Sequence, residues 1–281
     1  MSTLFEIVVV GDDIENLTAA AEAGLDEIVR IEKLLSRFDP ASETARINRH
    51  AATEPVLVDF EMRSILRLCL DYQAKTGGHF DITATSRIGT AAPKPGKRTR
   101  PPHLLLDDET RMVRFSQPGV QLNFGAFGKG YALDRAAKIL TKNGVQQALL
   151  HGGTSSVLAL GNGPDNHPWR VGIRNPFLER ADEEISQLRL CNQALSSSAV
   201  VNPGQTASDI VNPLTGAHLK RSVACVVIGP TATETEMLST AFLSMGKAAA
   251  TLCCQKLWFA GMRAGWIARQ RNRVELKWLK E

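Results

Sequence analysis

Short strand-like runs and amphipathic helical patterns are interleaved along this chain of 281 residues, and no linker-like segment or internal repeat separates them. Apolar residues recur at helical spacing from Ile14 to Leu35. A mostly apolar run from Phe5 to Val10 ends at Gly11, which is typical of a strand. Because hairpins and helices are mixed in this way, the sequence predicts a compact α+β fold. We expect a single domain over residues 1–281.

The same patterns predict the individual elements. Helices are predicted over 13–35, 42–47, 60–75, a segment ending at 142, 234–245 and 247–255. Strands are predicted over 5–10, 104–106, 112–115, 120–124, 145–150, 155–160, 169–173, 185–190, 194–198, 222–228, 257–259, 265–268 and 274–278.

Composition narrows the class of protein. Hydrophobic residues make up 43% of the chain and charged residues 22%, which excludes wholesale disorder. Basic residues number 33 and acidic residues 29, so the formal charge is 33 − 29 = +4. This charge is too small to indicate a nucleic-acid partner. The one locally basic stretch, Lys94 to Arg100, lies among prolines and is interpreted as an exposed loop.

The sequence does not predict insertion into a membrane. No segment approaches the ~18 consecutive apolar residues that a membrane span needs. The first residues meet Asp12, Asp13 and Glu15 without the basic start and apolar core of a secretory signal. Five cysteines, an odd number, show no CxxC spacing: Cys69, Cys191, Cys225, Cys253 and Cys254. They are interpreted as buried thiols in a reducing compartment, so we expect a cytoplasmic protein.

The segment from Leu122 to Asp134 is the most informative motif. It holds three glycines and Lys129 between a predicted strand and a predicted helix start. Glycines allow close backbone approach to a ligand, and the free N–H groups of a helix N-terminus attract phosphate. The spacing is not that of a Walker motif. A tight turn with an exposed lysine explains the same residues.

Two further glycine turns have open interpretations. The segment from Thr76 to Thr83 holds two glycines, an aromatic residue and an aspartate, and it could wrap a planar ring or simply end a helix. The segment from His151 to Ser156 lies between two predicted strands and carries hydroxyl groups. It could bind phosphate or be a structural turn.

Glu236 and Thr240 form a possible cation site. They stand four residues apart and therefore share one face of a predicted helix. A carboxylate and a hydroxyl suit Mg²⁺, which takes few protein ligands together with substrate phosphates. A capped, solvated first helical turn is the alternative. The six histidines show no ligand pairing, so zinc is not expected.

Taken in order, these motifs resemble the ApbE-type FAD:protein FMN transferase family. The matching segments are 35–43, 77–83, 125–134, 152–153, 169–173, 210–216 and 236–240. They extend over about residues 30–246 and occur in the order typical of the family. The resemblance implies an α+β, T-fold-like domain that binds FAD with Mg²⁺ at its pyrophosphate. It also implies transfer of FMN to a threonine hydroxyl of an acceptor protein, with release of AMP.

The resemblance further implies roles for individual residues. The implied flavin-nucleotide contacts are Phe38, His79, Phe80, Asp81, Asn123, Lys129 and Ile210. Phe38 stands where the family usually has a tyrosine that packs on the flavin. The implied metal ligands are Glu236, Thr240 and the backbone carbonyl of Ala126. Asp209 stands where the family favours a histidine proposed as the catalytic base, which makes it the candidate base here.

The chain departs from the family pattern at several of these positions. Asn123 and Asn212 stand where the family usually has aspartate, and Glu236 is one methylene longer than the usual aspartate. Thr154 stands where an acidic or amide residue usually follows the double glycine. An alternative function therefore stays open, in which the protein binds FAD, or hydrolyses it to FMN and AMP, without flavinylating a protein.

Overall fold

The structure, a computed structural model, describes residues 3–87, 103–177, 183–200, 210–220, 222–270 and 273–279. The basic run at 94–100 and Asp209 lie outside the described residues. The helices are α1 (Ile14–Leu35), α2 (Glu43–His50), α3 (Phe60–Lys75), α4 (Gly128–Lys142), α5 (Ala232–Met245) and α6 (Lys247–Cys253). The strands are β1 (Phe5–Val9), β2 (Val56–Leu57), β3 (Leu104–Asp107), β4 (Met112–Phe115), β5 (Ala148–Gly152), β6 (Ser156–Leu160), β7 (Trp169–Arg174), β8 (Glu184–Leu190), β9 (Gln193–Val200), β10 (Val223–Gly229), β11 (Arg263–Gln270) and β12 (Arg273–Trp278).

Local sequence signals explain where the first three helices begin and end. The Asp13 side chain accepts from the Asn16 N–H at the start of α1, and Ser42 does the same for Ala45 at the start of α2. Helix α3 ends at Lys75, and Gly77 and Gly78 follow with φ of 60° and 86°. Only glycine adopts such angles readily, so the predicted end of α3 is confirmed.

A seven-stranded antiparallel sheet is the centre of the fold, with the strand order β1-β5-β6-β9-β10-β11-β12. Strand β10 illustrates how this sheet is buried on both sides. Cys225 and Val227 belong to the larger hydrophobic core, whereas Ala224, Val226 and Ile228 belong to a second core. Because side chains alternate along a strand, a strand between two cores must be apolar at every position.

Each face of the sheet has its own cover. Helices α4 and α5 pack on one face, where α5 contacts β9 and β10, and α1 lies over α4. The two-stranded ribbon of β7 and β8 covers the other face through Trp169, Val171 and Ile173. Strands β2, β4 and β3 form a separate small sheet beside α3. The mixed α+β architecture predicted from the sequence is therefore confirmed.

The predicted strand at 120–124 is wrong. This segment is not part of a sheet, and several of its backbone groups are bound by side chains. The Leu122 N–H donates to Asn48 Oδ1 at 2.6 Å, and Asn48 Nδ2 donates back to the Leu122 carbonyl at 3.1 Å. The Gln121 N–H donates to Ser86 Oγ at 2.8 Å. Apolar patterning alone does not distinguish these two ways of satisfying a backbone.

The predicted strand at 257–259 is also wrong, because Leu257–Phe259 is a turn of 3₁₀ helix. Its aromatic residues fix it against the helices. Phe259 lies 5.7 Å from Phe242, and Trp258 lies 6.3 Å from Tyr72 in an edge-on arrangement, both measured between ring centroids. Leu257, in contrast, is 95% exposed. Such a short run carries no usable periodicity, so its type depends on these tertiary contacts.

Two other expectations can be compared with the structure. Within the described ranges, no helix combines the length and the hydropathy that crossing a bilayer requires. All five cysteines are free thiols, and Cys69, Cys225 and Cys254 are buried, whereas Cys191 and Cys253 are only partly buried. Burial raises the pKa of the Cys69 thiol well above its ordinary value, so this cysteine is an unreactive core residue.

Candidate functional site

A cavity of about 530 Å³ opens between the N-terminal parts of α4 and α5, strand β9 and the loops around residues 79–85, 123–126 and 210–213. Its volume is within the range of small-molecule sites. Nine of the eleven residues predicted for the site line it: His79, Phe80, Asp81, Asn123, Ala126, Lys129, Ile210, Glu236 and Thr240. These residues come from segments far apart in the sequence, and the fold brings them to one place.

The other two predicted residues are Phe38 and Asp209. Phe38 is 81% exposed and does not line the cavity; its ring lies beneath the guanidinium of Arg37, 4.6 Å from Cζ to the ring centroid. The role of Phe38 as a flavin contact therefore stays a prediction. Asp209 lies outside the described residues, next to Ile210 in the sequence.

Lys129, Glu236 and Thr240, here called the helix wall, form the part of the lining that α4 and α5 contribute. Lys129 Nζ donates to Glu236 Oε1, and the Gly130 N–H donates to Glu236 Oε2 at 2.6 Å. Both carboxylate oxygens of a residue on α5 are thus bound by the first turn of α4. Glu236 is only 2% exposed, and a carboxylate buried to this extent is stable only when it is paired in this way.

The solvated first turn considered for Glu236 is therefore excluded. Helix α5 begins at Ala232, and its N-cap is Thr231, whose side chain accepts from the Glu234 N–H. Glu236 lies one turn further along, on a helix buried on nearly all sides. Helix α5 needs no capping from Glu236, so the Glu236 carboxylate can interact with α4 and with the cavity.

The oxygen atoms of the helix wall suit a hard cation. Glu236 supplies a carboxylate and Thr240 a hydroxyl, and Ala126 belongs to the same cavity lining. In the part of the chain that the structure describes, no group of three or more His, Cys, Asp or Glu side chains could hold a metal ion. One carboxylate with neutral oxygens fits Mg²⁺, which completes its octahedron with water and substrate phosphate.

Residues 79–82, Asn123 and Ile210, here called the loop wall, form another part of the cavity lining. Local hydrogen bonds shape this wall. The buried Thr76 Oγ1 accepts from the Phe80 N–H at 3.0 Å, and Asp81 Oδ1 accepts from the Thr83 N–H at 2.7 Å. The Asn123 N–H donates to the Ile82 carbonyl at 2.7 Å and joins the two loops. The glycine turn thus both ends α3 and lines the cavity.

His79 is the titratable group of the loop wall whose pKa is displaced. Its Nδ1 lies 3.0 Å from Ser244 Oγ at the end of α5. Burial lowers the pKa of His79 below its ordinary value, because desolvation disfavours the imidazolium. The ring is therefore neutral at pH 7 and can act as both a donor and an acceptor.

A cluster of hydroxyl groups along β9 and α5 belongs to the site but is part of no predicted motif. Ser198 Oγ lies 3.0 Å from Thr240 Oγ1 and 2.8 Å from Ser239 Oγ, which in turn lies 3.2 Å from Ser196 Oγ. Ser196, Ser197 and Ser198 all line the cavity, as does Ser155 of the third glycine turn. A run of serines inside an otherwise apolar strand is the sequence signal that points to this surface.

Comparison with known proteins matches this fold and these motifs to one family. The sequence profile of the ApbE family matches residues 1–260, nearly the whole chain. The chain therefore belongs to the ApbE family.

Several relatives are named FAD:protein FMN transferase. The protein of that name from Klebsiella pneumoniae (strain 342) is 26% identical over 273 residues, covering 88% of this chain and 77% of the relative. The one from Treponema pallidum (strain Nichols) is 26% identical over 263 residues, covering 81% and 73%. A shorter match to the Rhodobacter capsulatus protein is 49% identical over 65 residues, covering 23% of this chain and 12% of the relative.

Solved structures of the family share the fold. The ApbE protein of Thermotoga maritima superposes with a TM-score of 0.81 at 26% identity, covering 98% of this chain and 94% of that chain. The flavin transferase ApbE of Vibrio cholerae superposes with a TM-score of 0.80 at 19% identity, covering 99% and 94%.

Proposed function

We propose that this protein is a Mg²⁺-dependent FAD:protein FMN transferase, which moves FMN from FAD to a threonine hydroxyl of an acceptor protein and releases AMP. The observation that carries the proposal is the convergence of a lysine, a buried carboxylate and a set of hydroxyls in one cavity, whose lining also includes Phe80 and Ile210. A lining that combines charged, hydroxyl and apolar residues suits a substrate with a pyrophosphate and an aromatic ring system. The names of the family relatives point to the same reaction.

Different residues of the chain are suited to bind different parts of FAD. Lys129 Nζ, already at the cavity, is suited to bind a phosphate oxygen of FAD. The hydroxyls of Ser196 and Ser198 can donate to further phosphate oxygens. His79, Phe80, Asp81, Asn123 and Ile210 would bind the flavin part, and Phe38 is a further candidate outside the cavity lining.

Glu236, Thr240 and the Ala126 carbonyl would hold Mg²⁺. When bound, Mg²⁺ neutralises the pyrophosphate charge that develops as the phosphorus–oxygen bond breaks. Glu236 is already oriented for this role by its two bonds to α4. A ligand that is fixed before the metal binds loses little side-chain freedom on binding.

The transfer itself exchanges one phosphorus–oxygen bond for another. The threonine hydroxyl oxygen forms a bond to the FMN phosphorus, and the bond from that phosphorus to the bridging oxygen breaks. AMP leaves with the electron pair of that bond, and the hydroxyl proton passes to a base. Asp209 is our candidate for this base because of its position in the family pattern. The in-line geometry requires both nucleotide halves to be held at the time of attack.

Loss of transfer with retention of FAD binding or hydrolysis is the alternative function. The departures at Asn123 and Asn212 raised it, but both asparagines make turn contacts that do not depend on a carboxylate. Asn123 Oδ1 accepts from the Gly125 N–H at 3.0 Å, and Asn212 Oδ1 accepts from the Leu214 N–H at 2.9 Å. An aspartate oxygen makes the same turn bonds, so either residue type can shape these loops.

We also propose that residues 1–281 act as one domain in the cytoplasm. The larger hydrophobic core contains residues from Ala20 to Leu279, so both ends of the described chain share it. The five free thiols favour a reducing compartment.

The test is an assay of the whole protein with FAD, Mg²⁺ and a purified flavin-acceptor protein that carries the target threonine. We expect AMP release together with an acceptor mass increased by one FMN. The matched control is the same acceptor with that threonine changed to alanine, which should gain no mass. If FMN and AMP form without an acceptor adduct, the protein is a hydrolase and not a transferase. If FAD binds and neither product forms, it is an FAD-binding protein.

A further inference from the structure

The first turn of helix α5 is capped by two different side chains. Its own N-cap residue, Thr231, accepts from the Glu234 N–H at 3.2 Å. Asp134, which belongs to α4, accepts from the Ala232 and Thr233 N–H groups, both at 2.8 Å. The Thr233 hydroxyl also donates to Asp134. Together these bonds satisfy the first three N–H groups of α5, which have no partner within the helix.

Helix α4 is capped in the opposite direction. Its N-cap residue, Phe127, provides no side-chain hydrogen bond. Instead, Glu236 of α5 accepts from the Gly130 N–H and from Lys129 Nζ. Each of the two helices therefore receives a carboxylate from the other at its positively polarised end.

The two first turns also touch directly. A Cβ atom added at Gly130 would lie 2.2 Å from the Ala232 carbonyl oxygen, which is closer than real Cβ atoms approach. Gly130 has no left-handed φ, so glycine is needed here for proximity and not for conformation. The contact leaves no room for α5 to shift toward α4, and the crossed carboxylates resist its moving away.

We infer that Asp134 is a positioning residue, which holds the first turn of α5 so that the Glu236 carboxylate stays bound to Gly130 and Lys129 at the cavity. This inference rests on the proposed function for its effect on Mg²⁺ and FAD. The structural part of the inference, the position of the first turn of α5, depends only on contacts within this chain. Asp134 does not line the cavity, so its influence on the site has to pass through α5.

A carboxylate is required for this role because all three groups facing Asp134 are donors. Its two oxygens accept from two N–H groups and one hydroxyl. An asparagine has the same shape, but its NH₂ group would face at least one donor. Asp134→Asn therefore loosens the first turn of α5 without removing volume.

The test compares Asp134→Asn with Thr231→Val in the full chain. Both substitutions remove capping bonds from the same helix turn with little change in volume. Of the two substitutions, only Asp134→Asn removes hydrogen bonds between α4 and α5. The first measurement is amide hydrogen exchange by NMR, which reports local opening at individual N–H groups. It needs neither metal nor substrate.

We expect Asp134→Asn to accelerate exchange of the Gly130 amide about tenfold, the scale of one hydrogen bond to a charged group. Gly130 makes no contact with Asp134 through its N–H; its partner is Glu236. Thr231→Val should accelerate exchange at Glu234 and leave Gly130 within about twofold of the wild type. Unchanged exchange at Gly130 in Asp134→Asn, with faster exchange at Ala232 and Thr233, would reduce Asp134 to an ordinary cap.

The second measurement is the FAD dissociation constant with Mg²⁺ and with a chelator, followed by flavin fluorescence. In Asp134→Asn, the factor by which Mg²⁺ lowers the FAD dissociation constant should be about tenfold smaller than in the wild type. The dissociation constant measured with the chelator should not change. Thr231→Val should keep the tightening. Equal losses in both variants would show a general effect of destabilising α5 and overturn the inference. If the wild type shows no effect of Mg²⁺, the proposed function fails, and the Gly130 exchange still decides the positioning role.

Discussion

The helix wall and the loop wall of the cavity are built by different kinds of interaction. The helix wall is held by bonds between residues far apart in the sequence, such as the pair of Lys129 and Glu236. The loop wall is shaped mainly by bonds within a few residues, such as Thr76 to Phe80 and Asp81 to Thr83. The helix wall contains the ion pair, whereas the loop wall combines apolar and polar side chains, among them Asp81.

This difference predicts which part of the site is more sensitive to substitution. A change in the helix wall alters the first turns of two helices together, because each helix caps the other. A change in the loop wall alters mainly its own turn. We therefore expect substitutions in the helix wall to have larger effects than substitutions in the loop wall.

The largest effect is expected for Glu236→Ala. It removes a buried carboxylate, leaves Lys129 and the Gly130 N–H without their partner, and should abolish Mg²⁺-dependent turnover or FAD tightening. The unpaired groups should also lower the free energy of unfolding by about 1–3 kcal/mol. Turnover is measured by AMP release, and stability by urea unfolding.

Glu236→Asp is the matched control, since it keeps the charge and shortens the side chain by one methylene. We expect it to retain part of the Mg²⁺ dependence, because Mg²⁺ demands strict geometry but accepts either carboxylate. If Glu236→Ala leaves the Mg²⁺ dependence unchanged, Glu236 is a structural cap of α4 and the metal assignment is wrong.

Gly130→Ala tests the contact between the two helices without changing any charge. The added Cβ would overlap the Ala232 carbonyl oxygen, which belongs to the backbone and has little freedom to move. We expect a loss of about 1–3 kcal/mol in the free energy of unfolding, as for other overpacked sites. Weaker Mg²⁺-dependent FAD binding should accompany it, because α5 carries Glu236.

Gly24→Ala is the control for this prediction. Gly24 is also a helical glycine, on α1, but an added Cβ there would meet the Ile7 Cδ1 atom at 3.0 Å. That atom is the end of a flexible side chain, and alanine also favours the helix by about 1 kcal/mol. We expect Gly24→Ala to be nearly neutral. Equal losses in both variants would mean that the contact between α4 and α5 is not special.

The smallest effect is expected in the loop wall, from the titration of His79. Burial lowers the pKa of His79, so the unfolded chain binds a proton more readily than the folded protein. The stabilising contribution of the neutral ring is therefore complete above the ordinary histidine pKa of about 6.5 and decreases as the pH falls below it.

We expect His79→Gln to show a smaller loss of unfolding free energy between pH 7.5 and pH 5.5 than the wild type, measured by urea unfolding at both values. His167→Gln, at an exposed position outside the cavity, is the control variant. An identical pH dependence in His79→Gln and the wild type would contradict the burial of a neutral ring at the loop wall.

Much of this architecture follows from local patterns. The long helix α1, the glycine end of α3 and the strand–turn–strand pattern of β3 and β4 were all predictable, because each depends on residues close in the sequence. The ordered motifs also predicted which residues would share a site, and nine of the eleven line one cavity. The roles of those residues stay predictions.

Other features could not be predicted from the sequence. The segment 120–124 has the composition of a strand, yet Asn48 and Ser86 bind its backbone. The spacing of Glu236 and Thr240 suited either a cation site or a solvated turn, and only the position of α4 excluded the second. In both cases the deciding partner lies far away in the chain, so no local window contains it.

The sequence by itself determined the types of most elements, the ends of several helices and the set of residues with suitable chemistry. Only the tertiary structure decided that Glu236 is buried against Gly130 and Lys129, and that Asp134 caps the neighbouring helix. The physical reason is the distance along the chain over which each kind of interaction acts. Hydrogen-bonded turns and helical periodicity act over about four residues, whereas burial and capping between helices depend on which segments the folded chain brings into contact.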